Sequence, residues 1–297
     1  MSTVLVTGSS TGFGRLIALE LAREGHRVFA TMREPEGRNA PAAESLRAVA
    51  QAEGRAVEVV ALDVTRDDSV SAAVDTILSR AGALDVLVNN AGVACAGLVE
   101  TFTPAAAQRV FDVNVYGPLR MARAVLPGMR RRGSGLVVYV SSTLGREVTP
   151  FLGVYAASKF ALEALAESLR YETAPLGVDS VIVQPGTFPT TAILGNLVAP
   201  DDAARAEGYG PVAQLPAGLF AGLGELARSG RAPDPQRVAD AVAAVVRAPV
   251  GSRPARVVVD PNGSGGAARL NALSGEVQSS ILAGFGLEAL GAVRPAR

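Results

Sequence analysis

Residues 4–23 read VLVTGSSTGFGRLIALELAR, and this stretch decides the fold. Residues 4–7 are mostly apolar and β-branched, which is typical of a buried parallel strand. Residues 15–23 place apolar and polar side chains at helical spacing, and Gly8, Gly12 and Gly14 lie between the two segments. A strand, a glycine turn and a helix in this order place phosphates at a helix N-terminus, so we predict a dinucleotide site. The alternative is a tight turn without a ligand.

The glycine loop has a predicted role for each of its glycines. Gly8 permits the turn, Gly12 lets a ligand approach the backbone, and Gly14 allows close packing of the helix. Ser10 and Phe13 belong to the same loop and complete its predicted contacts with a cofactor.

The second predicted strand, residues 27–32 (RVFATM), bears on the choice of cofactor. An acidic residue after this strand would accept a hydrogen bond from the adenosine ribose 2′-hydroxyl, whereas an arginine accommodates a 2′-phosphate. Here Arg33 follows the strand, and the first carboxylate is Glu34. We therefore predict NADP(H) rather than NAD(H), with Arg33 on the phosphate and Ser10 as a helper. The alternative is a solvated arginine at a strand end.

Strands and helices alternate along the rest of the chain, which predicts an α/β protein with one parallel sheet. Further strands are predicted at residues 57–62, 83–88, 136–140, 178–183 and 256–260. Helices are predicted at residues 41–53, 67–80, 104–131 and 235–247, and another contains Tyr155 and ends near residue 173.

The ends of the third and sixth strands supply further candidate cofactor contacts. Asp63, with Val64 beside it, would accept a hydrogen bond from the adenine amino group or, alternatively, cap the next helix. The sixth strand ends at Pro185, Gly186 and Thr187. By analogy with the other strand ends, we expect this loop near the nicotinamide.

Asparagines mark two further positions. Asn89 and Asn90 precede Ala91 and Gly92 at the end of the fourth strand, where they suit bracing of the backbone beside a cofactor, although they are also common in turns. Asn114 lies among apolar residues at helical spacing, and a buried asparagine must find partners. It would bend the helix and hold a water near Lys159, or else form an ordinary hydrogen bond between helices.

The pair Tyr155 and Lys159 is the centre of the predicted chemistry. The two residues are four apart in a predicted helix, so they share one face. The chain has 28 basic residues, and Lys159 is its one lysine, which indicates a position that needs an ammonium. Ser142 precedes the tyrosine by 13 residues and would hold a substrate oxygen. The alternative is a surface lysine left by chance.

The lysine is expected to act on the acidity of the tyrosine. A free tyrosine has a pKa of about 10 and is a poor base at neutral pH. A positive charge about 4 Å away, at an effective dielectric of about 20, favours the phenolate by on the order of 4 kcal/mol. We therefore expect Tyr155 to have a pKa near the working pH and to act as a general acid or base.

Composition excludes several classes of protein. Hydrophobic residues make up 48% of the chain, and 28 basic residues balance 28 acidic ones, so there is no electrostatic basis for binding nucleic acid or an anionic membrane. One cysteine, Cys95, excludes an internal disulfide, and one histidine, His26, excludes a multi-histidine metal site. Neither a signal peptide nor an apolar run of about 18 residues is visible, so we expect a soluble, cytoplasmic protein.

The predicted domain organisation is a single domain over residues 1–297, with its core at residues 3–260. Residues 187–230 are rich in Ala, Gly and Pro and are interpreted as an apolar lid over the substrate, or as an irregular insertion. From residue 262 a Gly-Ser linker and a weakly amphipathic helix follow, which would cover the site or join subunits.

These motifs together resemble the short-chain dehydrogenase/reductase family: Thr7-Gly8-x-x-x-Gly12-x-Gly14, Asp63, Asn89-Asn90-Ala91-Gly92, Asn114, Ser142, Tyr155-x-x-x-Lys159 and Pro185-Gly186. The resemblance extends over residues 3–260. It implies a Rossmann-type, doubly wound sheet of seven parallel strands in the order 3-2-1-4-5-6-7, with helices on both faces. It also implies NAD(P)(H), a homodimer or homotetramer, and a catalytic tetrad of Asn114, Ser142, Tyr155 and Lys159.

The implied reaction interconverts a carbonyl and an alcohol on a small, apolar substrate. Ser142 holds the oxygen, Tyr155 exchanges a proton with it, Lys159 stabilises the phenolate and binds the nicotinamide ribose, and Asn114 helps resupply the proton. The alternative is a non-enzymatic NADP(H)-binding sensor or scaffold on the same fold. A nucleotide-sugar epimerase shares Tyr-x-x-x-Lys, but the chain after Gly186 is short for its substrate domain.

Overall fold

Seven parallel strands form one sheet in the computed structural model, which describes residues 1–191, 195 and 197–294. The strands are β1 (Thr3–Val6), β2 (Arg27–Met32), β3 (Val57–Ala61), β4 (Val86–Asn89), β5 (Gly135–Val140), β6 (Val178–Pro185) and β7 (Arg256–Val259). Their order is β3-β2-β1-β4-β5-β6-β7, which confirms the predicted topology. The strand order changes direction at β1, which lies between β2 and β4. Val6 of β1 pairs with Ala30 of β2 on one side and with Val88 of β4 on the other. A ligand crevice is expected at this switch point, beyond the carboxyl ends of the strands.

Helices cover both faces of the sheet, as predicted. They are α1 (Gly12–Arg23), α2 (Ala40–Ala52), α3 (Asp67–Ala81), α4 (Pro104–Phe111), α5 (Gly117–Arg132), α6 (Gly153–Thr173), α7 (Leu215–Arg228), α8 (Gln236–Arg247) and α9 (Gly266–Gly284). Side chains alternate between the faces of a strand, so Val4 and Val6 join a core with α1, α2 and α8. Leu5 faces the other way, into a core with α3, α5 and α6.

The helix predicted over residues 104–131 is wrong as a single element. A π-helix, Asp112–Tyr116, separates α4 from α5. Pro118 lies in the first turn of α5 and has no backbone N–H, so it cannot donate to the carbonyl of Asn114. The wider turn of the π-helix is consistent with the hydrogen bond that Pro118 cannot form.

The segment after β6 contacts the rest of the protein at several of its described residues. Phe188 packs edge-on against Phe13, with ring centroids 5.4 Å apart. Further along, Asp201 accepts hydrogen bonds from the backbone N–H and the hydroxyl of Thr103, at 2.9 and 2.8 Å. None of the residues of α7 is buried. Residues 192–194 and 196 of the predicted lid, and residues 295–297, lie outside the described residues.

The C-terminal helix α9 is attached to the sheet by few residues. Ala267 is buried, and the amide of Asn271 bonds to Gln184 of β6. Exposed apolar side chains lie on its outer surface: Leu270, Leu273, Val277 and Ile281. No helix in the described ranges combines the length and the apolarity needed to cross a membrane.

Candidate active site

The glycine loop joins β1 to α1 in a conformation that needs its glycines. Gly8 and Gly12 have φ of +69° and +55°, in the left-handed region that other residues rarely adopt. A Cβ on Gly8 would lie 2.8 Å from the Cα of Ala91. A Cβ on Gly12 would meet only Thr191, at 3.9 Å, so a ligand can approach the backbone there. Gly14 has no room for a Cβ, because the Gly8 carbonyl and the Asn90 amide fill the space.

Asn90 braces this loop, which confirms the bracing interpretation for this residue. Its Nδ2 donates to the carbonyl oxygens of Thr7 and Gly8, at 2.9 and 3.1 Å. The hydroxyl of Thr7 in turn accepts from the backbone N–H groups of Asn90 and Ala91, at 3.0 Å each. Asn89 is buried, and its Nδ2 has no hydrogen-bond partner among the residues that the structure describes.

A cavity of about 600 Å³ lies along the carboxyl edge of the sheet beside this loop. This volume is within the range of small-molecule sites, about 300–1,000 Å³. Its lining comes mainly from the glycine loop, the ends of β2 and β3, the segments that follow β4 and β5, and one face of α6. Its predicted lining residues are Gly8, Ser10, Gly12, Phe13, Gly14, Arg33, Asp63, Val64, Asn90, Ala91, Gly92, Tyr155 and Lys159.

The end of β2 carries two lining residues that sequence reasoning missed. Arg38 and Asn39 line the cavity with Arg33. Glu34 has a φ of +45°, and its carbonyl accepts from the backbone N–H of Asn39 at 3.1 Å, so the chain folds back there. The Asn39 amide then donates to the Arg33 carbonyl at 2.6 Å. The sequence does show a second arginine, Arg38, five residues after Arg33. Whether its side chain reaches the cavity depends on this turn, which the sequence does not reveal.

Asp63 lies at the end of β3 and holds its own turn. Its carboxylate accepts from the backbone N–H and the hydroxyl of Thr65, at 3.0 and 2.7 Å, and does not cap α3. Burial acts to raise the pKa of Asp63, but the hydrogen bonds from Thr65 and the charge of Arg33 outweigh it, and the pKa is lowered. The carboxylate therefore stays ionised and able to accept a further hydrogen bond in the cavity.

Tyr155 and Lys159 line the opposite end of the cavity from Arg33 and share one face of α6. Lys159 is 5% exposed, and its Nζ donates to the carbonyl oxygen of Val140 at 3.1 Å. The same Nζ lies 5.7 Å from the centroid of the Tyr155 ring. The interpretation of Lys159 as a chance surface lysine is therefore wrong.

The expected lowering of the tyrosine pKa is also wrong in this structure. Burial raises the pKa of Tyr155 to about 12, and hydrogen bonding with Ser142 lowers it only in part. Burial lowers the pKa of Lys159 to about 8, while the charge of Glu163 opposes this change. Desolvation is the largest influence on the pKa of the phenol, so Tyr155 keeps its proton at neutral pH.

Ser142 lies in the turn that follows β5. It is 8% exposed, and its hydroxyl accepts from the backbone N–H of Leu144 at 3.2 Å. Ser142 is not a lining residue of the cavity, whereas Ser141 is.

Asn114 is buried in the π-helix, behind the cavity wall. Its Oδ1 accepts from the backbone N–H of Val93 at 2.9 Å, and its Nδ2 donates to the Val93 carbonyl and to the Ser158 hydroxyl at 2.9 and 3.0 Å. A Cβ on Gly92 would lie 3.3 Å from this Oδ1 and 3.7 Å from the Lys159 Nζ. The predicted bond between helices is confirmed, and the predicted water stays a prediction.

The loop after β6 lies at the predicted edge of the sheet, but it does not line the cavity. Pro185 ends the strand at the correct edge of the sheet, and Gly186 N–H donates to the Val259 carbonyl at 3.0 Å. Pro185, Gly186 and Thr187 are not among the residues that line the cavity. Their contact with a cofactor stays a prediction.

An apolar cluster adjoins Tyr155. Cys95, Phe102 and Val154 belong to it, together with Val198 from the segment after β6. Burial raises the pKa of the Cys95 thiol to about 11, so it is a neutral core side chain rather than a nucleophile. His26 lies at the amino edge of the sheet, where its Nδ1 accepts from the backbone N–H of Ser2.

The strand order and the braced glycine loop define a Rossmann-type α/β protein. The chain belongs to the short chain dehydrogenase family, whose model matches residues 2–201.

Relatives and solved structures agree with this membership. Human (Homo sapiens) retinol dehydrogenase 8 is 40% identical over 213 residues, which are 70% of this chain and 66% of the relative. The chain thus spans slightly less than two thirds of that relative. A short-chain dehydrogenase from Streptomyces avermitilis has a TM-score of 0.74 and 31% identity over 98% of this chain and 97% of that one. An actinorhodin polyketide ketoreductase variant with NADPH has a TM-score of 0.71 and 29% identity over 89% and 97%.

Proposed function

We propose that the protein is an NADP(H)-dependent oxidoreductase that interconverts a carbonyl and an alcohol on a small, apolar substrate. One observation carries this proposal: Tyr155 and Lys159 line the same cavity as the open backbone of Gly12. The cavity therefore joins a phosphate-binding loop to a half-buried phenol and a buried cation. The residues present suit a dinucleotide, because the glycine loop leaves a space that a Cβ on Gly12 would enter.

The end of β2 would hold the phosphate that distinguishes NADP from NAD. Arg33 and Arg38 are both exposed and both line the cavity, and no carboxylate follows β2 until Glu34. Glu34 pairs with Arg38, with 3.4 Å between Oε2 and Nε, and both side chains are more than half exposed. A weak, exposed pair of this kind leaves the guanidinium available to a phosphate.

A nicotinamide bound in the cavity would supply or take the hydride. Tyr155 holds its proton at neutral pH, because burial keeps its pKa high, and it donates that proton to a substrate oxygen during reduction. Lys159 stabilises the phenolate that remains, at a distance set by its bond to Val140. The hydroxyl of Ser142, which acts to lower the pKa of the phenol, would hold the substrate oxygen. In the oxidation direction the same groups act in reverse.

The surroundings of Tyr155 favour an apolar substrate. The cluster of Cys95, Phe102, Val154 and Val198 packs against the ring and offers no charged group. A retinol dehydrogenase among the relatives supports this substrate class.

Turnover tests the proposal directly. The purified protein is mixed with NADPH and a panel of apolar ketones and aldehydes, and the cofactor absorbance is followed with time. We expect consumption that depends on the carbonyl and is abolished in a Tyr155→Phe variant. Saturable NADPH binding without turnover of any carbonyl or alcohol would instead favour the sensor or scaffold.

A homodimer or homotetramer is part of the same proposal. Exposed apolar side chains on the π-helix, α5 and α6 support it: Tyr116, Leu119, Phe160 and Leu165. Light scattering after size-exclusion chromatography would give the mass, and a monomer at all concentrations would contradict this part. The cytoplasmic location stays a prediction, which cell fractionation would test.

A further inference from the structure

Glu163 is a buried carboxylate one helical turn after Lys159. Its side chain is 1% exposed, and a buried charge is costly unless it is paired and hydrogen-bonded. The Nε2 of Gln184 donates to both carboxylate oxygens, at 2.8 and 3.0 Å. Arg256 of β7 donates through Nε at 3.0 Å, and the Nε of Arg146 lies 3.1 Å from the same oxygen. The carboxylate is therefore both paired and hydrogen-bonded in its buried place.

Asn271 of α9 fixes the orientation of the glutamine in this network. Its Nδ2 donates to the Oε1 of Gln184 at 2.6 Å. The amide of Gln184 has one accepting and one donating end, so an N–H from Asn271 at the accepting end leaves the donating end towards Glu163. A rotated amide would place an oxygen against the carboxylate. The C-terminal helix thus connects with the centre of the molecule through two amides.

The carboxylate also lies under the turn that carries Ser142. A Cβ on Gly145, at the end of that turn, would collide with Oε1 of Glu163 and lie 2.9 Å from the Ser141 hydroxyl. Glu163 therefore contacts the serine turn on one side and shares its helix face with Lys159 on the other. Glu163 thus lies between the turn of Ser142 and Lys159, two residues of the proposed reaction.

Few charged groups act on Lys159. Burial lowers its pKa, and Glu163 is the acid whose charge opposes the change. Tyr155 faces it from the same helix, while β5 and the π-helix present the Val140 carbonyl and the neutral amide of Asn114. The remaining charges lie beyond Glu163: Arg146, Arg256 and Glu167, which bonds to both arginines. The two arginines balance the two glutamates, and Glu163 is the member one turn from Lys159.

We propose that Glu163 is a positioning residue that acts through Lys159, holding the ammonium in its buried place from one helical turn away, and that Asn271 keeps Glu163 oriented through Gln184. The inference rests on the proposed function, which gives the charge of Lys159 its use. It assigns a role to the C-terminal helix, which would otherwise be only a cover or a subunit contact.

The single lysine makes a direct test available. Protein labelled with ¹³C at the lysine Cε has one lysine signal, whose shift against pH gives the pKa of Lys159 without any assay of turnover. Glu163→Gln keeps the size of the side chain and removes its charge. We expect its Lys159 to lose the proton at lower pH than in the parent, with an ionisation constant changed by about tenfold, or about one pKa unit.

Glu167→Gln is the matched control, because it removes a carboxylate from the same two arginines one turn further from Lys159. We expect a clearly smaller change in this variant. An unchanged pKa in Glu163→Gln, or an equal change in both variants, overturns the proposal.

Asn271→Ala tests the role of α9 and keeps the proposal falsifiable if Glu163→Gln does not fold. This side chain is only partly buried, and without it the amide of Gln184 is free to rotate and Glu163 to move. We expect a lowered pKa of Lys159, whereas Ser280→Ala on the exposed side of α9 leaves it unchanged. A parent-like pKa in Asn271→Ala overturns the part assigned to α9.

Turnover measured on the same samples separates this inference from the proposed function. In Glu163→Gln, the alkaline fall of kcat/KM should move to lower pH together with the lysine signal. A shifted signal in a protein that reduces no carbonyl would leave the inference standing and remove the proposed function. Turnover with an unshifted signal would do the opposite.

Discussion

The ammonium nitrogen of Lys159 donates a hydrogen bond to the carbonyl oxygen of Val140, the last residue of β5, at 3.1 Å. This bond fixes the cation between α6 and the sheet edge, and the broad, planar guanidinium of an arginine differs in shape and reach from this compact ammonium. We expect Lys159→Arg and Lys159→Met each to reduce kcat/KM by about 100-fold or more. Initial rates with NADPH and a reactive ketone measure this, with circular dichroism as the control for folding. A parent-like rate in Lys159→Arg would show that any cation suffices.

The pH dependence of reduction follows from the same burial. The pKa of Lys159 is lowered to about 8, and that of Tyr155 is raised to about 12. As pH rises through about 8, Lys159 loses its charge while Tyr155 keeps its proton, so kcat/KM should fall on the alkaline side with a midpoint near 8. Rates across a pH series at saturating NADPH would show it. A midpoint at the ordinary lysine value of 10.5 would contradict the role of burial.

Removal of the tyrosine hydroxyl should stop the chemistry and spare binding. In Tyr155→Phe the ring still packs against the apolar cluster of Cys95 and Val198, but no proton donor faces the substrate. We expect kcat to fall by about 100- to 10,000-fold. NADPH affinity, followed by fluorescence titration, should change little. A variant as active as the parent would remove Tyr155 from the mechanism.

The arginine after β2 should discriminate between the two cofactors. Loss of a charged hydrogen bond costs about 1.5–3 kcal/mol, so Arg33→Ala should raise KM for NADPH by about ten- to hundredfold and leave KM for NADH nearly unchanged. Arg38→Ala should act in the same direction, because it lines the same end of the cavity. Arg55→Ala, an exposed arginine away from the cavity, is the control for charge alone. Equal increases for both cofactors would contradict the assignment of the 2′-phosphate.

The brace formed by Asn90 should matter to both stability and cofactor binding. Asn90→Ala removes both side-chain bonds to the glycine loop and leaves the carbonyls of Thr7 and Gly8 without this donor. We expect the free energy of unfolding to fall by about 1–3 kcal/mol and NADPH affinity to weaken. Urea titration and NADPH titration measure the two effects, with the exposed Asn262→Ala as the matched control. Unaltered stability and affinity would mean that the loop holds its shape alone.

Much of the fold was predictable because its signals are local. The glycine loop between residues 4–7 and 15–23, and the β-branched runs after it, specify strands and turns within a few residues of chain. The tyrosine–lysine pair was equally accessible, since a four-residue spacing on a helix fixes a shared face.

The remaining features depend on contacts between distant segments. The π-helix at Asn114 depends on a proline four residues later and on bonds from Asn114 to Val93 and Ser158. The hydrophobic periodicity of the sequence does not indicate it. Arg38 reaches the cavity only because Glu34 takes a left-handed turn. The pKa of Tyr155 was predicted in the wrong direction, because sequence reveals the neighbouring charge but not the extent of burial.

Burial of Lys159 also provides a way to observe the opening of the molecule. A protease that cuts only after lysine has one target bond in the chain, within α6, and Lys159 itself is 5% exposed. Cleavage there requires α6 to unwind, so its rate reports the population of molecules in which that helix has opened. A nucleotide that binds only the closed form should protect the bond in proportion to its affinity.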